Sequence, residues 1–304
     1  MDVMQWLGAL IILAAALFGF FRWENHGIRL TMLQYKSEKL PRSCQGKRIV
    51  QISDLHDGCF GKNNEKLLEM IRRARPDWIG VTGDVFDRRR PHLERSADFL
   101  RRAAQIAPLY YVTGNHENWS SLFPAFREMI RGNGAVLLED RGLLLDEDEE
   151  GRKLILYGLM DHSINRQRAS GGVMSREEGR EKNAGKMEVL LREMKEKQER
   201  LSPEGPAPLR VLLSHRPEQL AVYAKEGFDL VFCGHAHGGQ IRLPFVGGLY
   251  APSQGWLPAY TSGIHTMGGT SMAVSRGLGN SQMPLRIFNR PEILVLTLQN
   301  PSFP

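Results

Sequence analysis

Five short clusters of residues able to bind a divalent cation are spread along this sequence, each behind an apolar run. They are Asp54-Leu-His56-Asp57-Gly58, Gly83-Asp84-Val-Phe-Asp87, Gly114-Asn115-His116-Glu117, Ser214-His215 and Gly234-His235-Ala-His237. Carboxylate and amide oxygens beside imidazole nitrogens suit Mn, Fe, Zn or Co better than a soft thiolate site does. On an extended loop, alternate side chains project the same way, so Asp54 and His56 can face one ion, and His235 and His237 likewise. Asp84, a lone carboxylate behind a strand, is placed to bridge two ions about 3.5–4 Å apart. Glycines 83, 114 and 234 let the backbone turn sharply and approach a ligand closely. Each cluster by itself is weak, since a lone Asp-x-His or Gly-Asn-His turn is more often structural and His215 alone would read as a core histidine. The ordered set of five is what points to a catalytic metal centre. Glu117 reads either as a surface turn residue or, with Asp87, as a partner for His116, and Asp57 is left without a role.

The clusters need elements to position them. Short β-branched runs predict strands at Arg48–Ser53, Asp77–Thr82, Leu109–Thr113, Ala135–Leu138, Lys153–Tyr157, Leu209–Ser214 and Phe228–Cys233. Between them, Leu67, Leu68 and Ile71 within Asn64–Arg75, and the pattern of Leu93–Ala104, have helical spacing. Ser120 or Ser121 is a candidate cap for a helix running to about Arg131. In such an α/β order, loops at the carboxyl ends of strands open into one crevice, which would bring the five clusters together. Residues 163–208 differ from the rest. They are rich in Arg, Glu, Gly and Ser, include a charged helix at Lys186–Arg200 with Met187, Leu190, Leu191 and Met194 on one side, and end in a Pro-rich break. They read as a solvated surface excursion or a lid, the former being the usual fate of a charge run. From Gly234 to Gln299 the short apolar runs and many glycines suggest hairpins.

Val3 to Phe21 has no charged residue, and Trp6 and Trp23 bracket it. About 19 such residues nearly span a hydrocarbon core about 30 Å thick, with aromatics at the interfaces. Asp2 and the lack of a small-residue exit disfavour a cleaved signal peptide, and the absence of a polar face disfavours a helix lying on the surface. Arg22, Arg29, Lys36, Lys39, Arg42, Lys47 and Arg48 all follow the span and no Lys or Arg precedes it. That asymmetry places the bulk of a single-pass cell-membrane protein in the cytoplasm. The expected organisation is an anchor at 1–23, a connector at 24–46 with room for a first strand, and a catalytic domain at 47–300. With 42% hydrophobic and 24% charged residues the composition is that of a folded protein. The net charge of +6 favours an anionic partner without choosing among them, and three scattered cysteines read as reduced thiols.

The ordered set resembles the calcineurin-like metallophosphoesterase superfamily, whose signature runs D-x-H, G-D-x-x-D, G-N-H-[DE], H and G-H-x-H. The resemblance covers about Lys47 to Leu298. His215-Arg-Pro-Glu218, His237-Gly-Gly-Gln240 and Ser275-Arg-Gly277 further resemble the bacterial, membrane-associated YkuE/YaeI-like branch, which is similar to UDP-2,3-diacylglucosamine diphosphatase-type enzymes. The resemblance implies an α/β fold, a four-layer α/β/β/α sandwich of two mixed sheets. It also implies two divalent ions, Mn the first choice and Fe, Zn or Co the others. One ion would take Asp54, His56 and His237, the other Asn115, His215 and His235, with Asp84 shared, and His116 would contact the phosphate and protonate the leaving oxygen. The expected activity is hydrolysis of a phosphodiester or diphosphate bond by a hydroxide held between the ions. The anchor makes a membrane lipid or lipid-linked envelope precursor, such as a UDP-diacylglucosamine, the expected substrate. A broad-specificity phosphodiesterase or nuclease is the competing class, disfavoured because aromatics are not interleaved with the Lys and Arg runs. A non-catalytic, metal-stabilised scaffold is disfavoured by the complete ligand set.

Overall fold

Side-chain alternation along the central strands sorts their residues into separate apolar layers. The computed structural model describes residues 3–163, 176–201, 205–280 and 283–303. The strands are β1 Arg29–Lys36, β2 Arg48–Ile52, β3 Trp78–Thr82, β4 Leu109–Val112, β5 Ala135–Leu137, β6 Arg141–Glu147, β7 Lys153–Gly158, β8 Leu209–Leu213 and β9 Leu230–Cys233. Four two-residue strands follow: β10 Arg242–Leu243, β11 Gly247–Gly248, β12 Tyr250–Ala251 and β13 Gly255–Trp256. The chain then forms β14 Gly263–Met267, β15 Thr270–Val274 and β16 Glu292–Gln299. The helices are α1 Val3–His26, α2 Glu65–Ala74, α3 Leu93–Ala104, the single turn α4 Asn115–Asn118, α5 Phe123–Ile130, α6 Arg176–Leu201 and α7 Leu220–Lys225.

Two six-stranded sheets result, ordered β1-β16-β2-β3-β4-β5 and β14-β15-β9-β8-β7-β6. In the first, β2 to β5 are parallel and β16 runs against β2. In the second, β7, β8, β9 and β15 are parallel while β6 and β14 are antiparallel edges. Ile49, Leu294 and Leu296 of the first sheet share one buried cluster with Leu156, Val211 and Phe232 of the second. The sheets therefore pack face to face. At Gly80 a Cβ would lie 3.0 Å from Leu213 Cδ2, so a glycine in β3 is what lets them approach. The alternate residues Val50, Ile79 and Val295 meet Leu67, Ile71, Phe99, Leu100 and Phe126 from α2, α3 and α5. On the far side Tyr157, Leu212 and Val231 meet Met187, Leu191 and Met194 of α6 and Tyr223 of α7. Helices, sheet, sheet and helices form the expected four layers, each buried large apolar side chain contributing roughly 1.5–3 kcal/mol.

Two segments go beyond the sequence reading, and a third fills a place it left open. The connector at 24–46 contains the first strand it had room for, β1, which pairs in parallel with β16 from Arg29↔Glu292 to Lys36↔Gln299. Strand β6 has no apolar alternation strong enough to reveal it, because it is a half-exposed edge. Helix α6 starts ten residues earlier than the apolar stripe suggests and is packed onto the second sheet. The lid alternative for the excursion therefore falls on 164–175 and 202–204, which lie outside the described residues.

Helix α1 is long and apolar enough to cross a membrane, and none of its most apolar stretch is buried against the protein. Its last turn does dock. Glu24 is buried and its Oε2 accepts from the Asn289 N–H at 2.8 Å. Asn25 Oδ1 accepts from the Arg286 N–H at 2.8 Å, and Arg290 lies over the Trp23 ring at 4.3 Å.

Candidate metal centre

The loops leaving β2, β3, β4, β8 and β9 meet at the carboxyl edge of the two sheets and bury Asp54, His56, Asp84, Asn115, His116, His215, His235 and His237. His237 Nε2 lies 3.3 Å from Asp54 Oδ1 and 3.1 Å from His56 Nε2. His215 Nε2 lies 3.3 Å from Asp84 Oδ2 and 3.1 Å from His235 Nδ1. His56 Nε2 is 3.7 Å from the same Asp84 oxygen, so Asp84 stands between the two groups. Ligand-capable atoms fall into three mutually close sets, Asp54/His56/His237, His56/Asp84/His116 and Asp84/His215/His235.

The local backbone is not the extended strand tip that the Asp-x-His spacing suggested. Asp54, His56, Asp84, His235 and His237 all have φ between 46° and 64°, a left-handed conformation uncommon for residues other than glycine. Cross-loop hydrogen bonds hold it. Asp54 N–H donates to Gly83 O and His56 N–H to Asp84 O, both at 3.0 Å, while His116 N–H donates to Asp84 Oδ1 at 2.7 Å. Two glycines leave the room required. A Cβ at Gly114 would sit 2.2 Å from Asp84 Oδ1, and one at Gly234 would sit 1.9 Å from Ser53 Oγ.

Glu117 is not a surface turn residue. It is buried and accepts from the N–H groups of Asp84, Val85 and Gly114 at 2.7–2.9 Å, tying the second cluster to the third. Of the two candidate partners for His116, it is Asp87 whose Oδ1 sits 3.2 Å from Nδ1. Asp57 is likewise a loop clamp, accepting from Asp87 N–H, His92 N–H and the Ser96 hydroxyl.

The donor set fits divalent cations. Burial drives the His56, His235 and His237 imidazoles towards the neutral form, His237 down to about 4, and the neutral ring is the one that ligates. Burial opposes charge on Asp84, but the His215 and His116 imidazoles outweigh it and hold its carboxyl well below the usual range. His215 is pushed the other way, up to about 10, because Asp84 outweighs its burial; a cation taken up beside Asp84 would displace that proton. Thr82 O, 2.7 Å from His215 Nδ1, keeps a proton on that nitrogen and turns Nε2 towards Asp84. Asn115 Oδ1 is buried with no hydrogen-bond partner among the described residues. A buried, unpaired amide oxygen costs roughly 1–3 kcal/mol, and a cation would remove that cost.

One functional candidate was missed. Arg216, read only as part of a family-like motif, is buried with Nη1 3.0 Å from His235 Nε2 and 2.9 Å from Ser253 Oγ, and Nε 2.6 Å from Asp161 Oδ2. Its position directly after His215 was the available signal. Together with Arg88 it flanks the Trp119 ring, at 5.9 and 5.3 Å, and the Arg216 guanidinium stands beside the candidate ligand His235. A cleft of about 380 Å³ between α6 and the 254–260 loop shares Glu218 and Gln219 with the segment after Arg216, but none of the candidate ligands lines it.

The family model for calcineurin-like phosphoesterases matches residues 47–239, more than half of the chain. The chain belongs to that family. This calcineurin-like phosphoesterase is 27% identical over 299 residues to the Bacillus subtilis metallophosphoesterase YkuE, covering 97% of this chain and 94% of that one. It is 27% identical over 276 residues to a Danio rerio transmembrane protein with a metallophosphoesterase domain, covering 86% of this chain and 55% of that protein. Over 89 residues it is 39% identical to the Escherichia coli phosphodiesterase YaeI, 29% of this chain and 32% of that one. The calcineurin-like phosphoesterase is thus a hydrolase that uses divalent metals.

Proposed function

We propose that this phosphoesterase hydrolyses a phosphodiester or diphosphate bond in a membrane lipid or lipid-linked precursor, of which a UDP-diacylglucosamine is the leading example, at the cytoplasmic face of the cell membrane. Asp54, His56 and His237 would hold one cation and Asn115, His215 and His235 the other, with Asp84 shared and Mn the preferred metal. The observation that carries this reading is the placement of Asp84 between two buried imidazole pairs. Divalent cations bound there lower the pKa of water and offset charge on the phosphate oxygens. The protein's own groups do the rest. Asp87 Oδ1 and the Arg88 N–H both sit 3.2 Å from His116 Nδ1 and fix the ring, which stands edge-on to His56 at 4.4 Å between centroids. Asp84 and Asp87 outweigh burial and raise the His116 pKa, a direction that suits a ring that would give a proton to the departing oxygen. Arg216, fixed by Asp161, offers N–H donors beside His235 for a phosphate oxygen.

The lipid part of the reading is supported by α1 and by the membrane proteins among the relatives. An anchored catalytic domain meets bilayer substrates at high local concentration. The test is a pair of assays on purified full-length protein with Mn²⁺: hydrolysis of bis-p-nitrophenyl phosphate, then incubation with lipid extracts followed by mass spectrometry. Turnover of the first and loss of a phosphorylated lipid in the second are expected. Hydrolysis of oligonucleotides with every lipid untouched would replace the lipid reading with the nuclease one.

A further inference from the structure

Beyond the metal centre, this protein exposes a second group of residues held in an unfavourable backbone conformation, and these are apolar. Phe245 (φ 66°), Leu257 (φ 49°) and Phe288 (φ 51°) are all left-handed, a region that bulky side chains rarely enter. Burial does not explain them. Phe245 is fully exposed, and Leu257, Phe288 and neighbouring Trp256 are 68%, 55% and 77% exposed. Phe245 lies in the turn of the ribbon made by β10 and β11, and Trp256 and Leu257 close the ribbon made by β12 and β13. Strain that packing does not reward is characteristic of functional surfaces, and clustered exposed apolar groups mark protein or membrane contacts.

Helix α1 identifies the contact. Its Phe20 ring packs on Phe288 at 5.6 Å between centroids, and the loop that carries Phe288 is tied to the β10–β11 ribbon by Arg242 N–H donating to Ile287 O at 3.0 Å, so the apolar helix adjoins the apolar loops. Exposed Arg22 and the Arg290 over Trp23 stand at the junction, where anionic headgroups attract such charge. The geometry points to a lipid bilayer as the surface that Phe245, Trp256, Leu257 and Phe288 enter, with α1 as the adjoining span. This inference rests on the anchored reading above and adds an orientation to it. The same loops are bonded to the metal-binding segment: Asn289 Nδ2 donates to His237 O at 2.8 Å, and Leu249 N–H to Gly239 O at 3.2 Å. Docking would therefore hold the His237 edge of the metal centre at headgroup level.

The test uses full-length protein reconstituted in vesicles of phosphatidylcholine and phosphatidylglycerol. In a Cys59→Ser background, which leaves only buried Cys44 and Cys233, Phe245→Cys, Leu257→Cys and, on α2, Arg73→Cys are labelled with an environment-sensitive dye. The expected result is a blue shift and strong quenching by brominated acyl chains at 245 and 257, with neither at 73. Alkaline extraction of the same vesicles reads the anchor independently. Protein that resists extraction while labels 245 and 257 stay water-exposed overturns the docking surface and leaves the anchor intact. Protein that is extracted overturns the anchor, and the docked orientation with it.

Discussion

The two halves of the candidate metal centre are built from the same residue types but supported differently. On the Asp84/His215/His235 side each imidazole has an acceptor behind it: Thr82 O at His215 Nδ1 and the Ser253 hydroxyl 3.2 Å from His235 Nε2. On the Asp54/His56/His237 side the Nδ1 atoms of His56 and His237 are buried without a hydrogen-bond partner among the described residues. Groups behind a metal-ligating histidine fix its tautomer and raise its basicity, and losing one typically costs about 10–100-fold in affinity or activity. The half that holds Asp54 should therefore bind its ion more weakly and exchange it faster.

Asp84 is where the two halves cannot be told apart, and its replacement has the largest expected effect. Asp84→Ala should release metal from both halves and reduce turnover to background, measured by elemental analysis alongside the diester assay. Retention of one equivalent would show that the halves are independent and that Asp84 is not shared. Next comes His116→Ala, which belongs to neither half. It should keep full metal content and lose about 10²–10⁴ in rate, the usual contribution of a general acid. The loss should be smaller on an aryl ester whose leaving group needs no proton; equal losses on both esters would remove the acid role.

Much of this site was legible in the sequence because its residues are of rare types at strand ends, and strand ends in an α/β order have only one place to go. Asp54, His56, Asp84, Asn115, His116, His215, His235 and His237 all arrive there. Three things were not legible. The left-handed turns at Asp54 and His56 come from bonds to Gly83 O and Asp84 O, partners about 30 residues away that spacing cannot show. Arg216 looks like any surface arginine until Asp161 is found beside it. In the fold, β6 is an edge strand with mixed exposure, so the nearly continuous buried run that betrays β2 or β9 is absent. An apolar residue in a Gly-rich run, such as Phe245, reads equally as core, turn or acyl-chain contact until its exposure is known.

Arg216 meets the second half at His235, and Asp161 in turn holds Arg216. Both side chains are nearly inaccessible, 2.6 Å apart between Arg216 Nε and Asp161 Oδ2. Removing one partner of such a pair costs about 3–5 kcal/mol, so Asp161→Asn, which keeps one acceptor, should fall at the low end in urea unfolding. The pH dependence has a definite sign. Burial opposes ionisation of Asp161, but Arg216 outweighs it and holds the carboxyl below its usual range. A depressed folded-state pKa means that the stabilisation is complete above the unfolded value of about 3.9. It is lost as pH falls through the lower folded value. The stabilities of wild type and variant should therefore converge in strong acid, and a constant gap would assign the cost to packing.

The finest comparison is between the two ions themselves. Under stepwise chelation the Mn-loaded protein should release one equivalent before the other, read by electron paramagnetic resonance as a coupled pair giving way to an isolated ion. Ser253→Ala deletes a hydroxyl 3.2 Å from His235 Nε2 and leaves the Asp54 half untouched. It should bring the two release steps closer by weakening the stronger one, up to about tenfold, the lower end expected for a supporting group. Wider separation in that variant would mean that the Asp54 half is the tighter one, and that its unpartnered imidazoles bind without help.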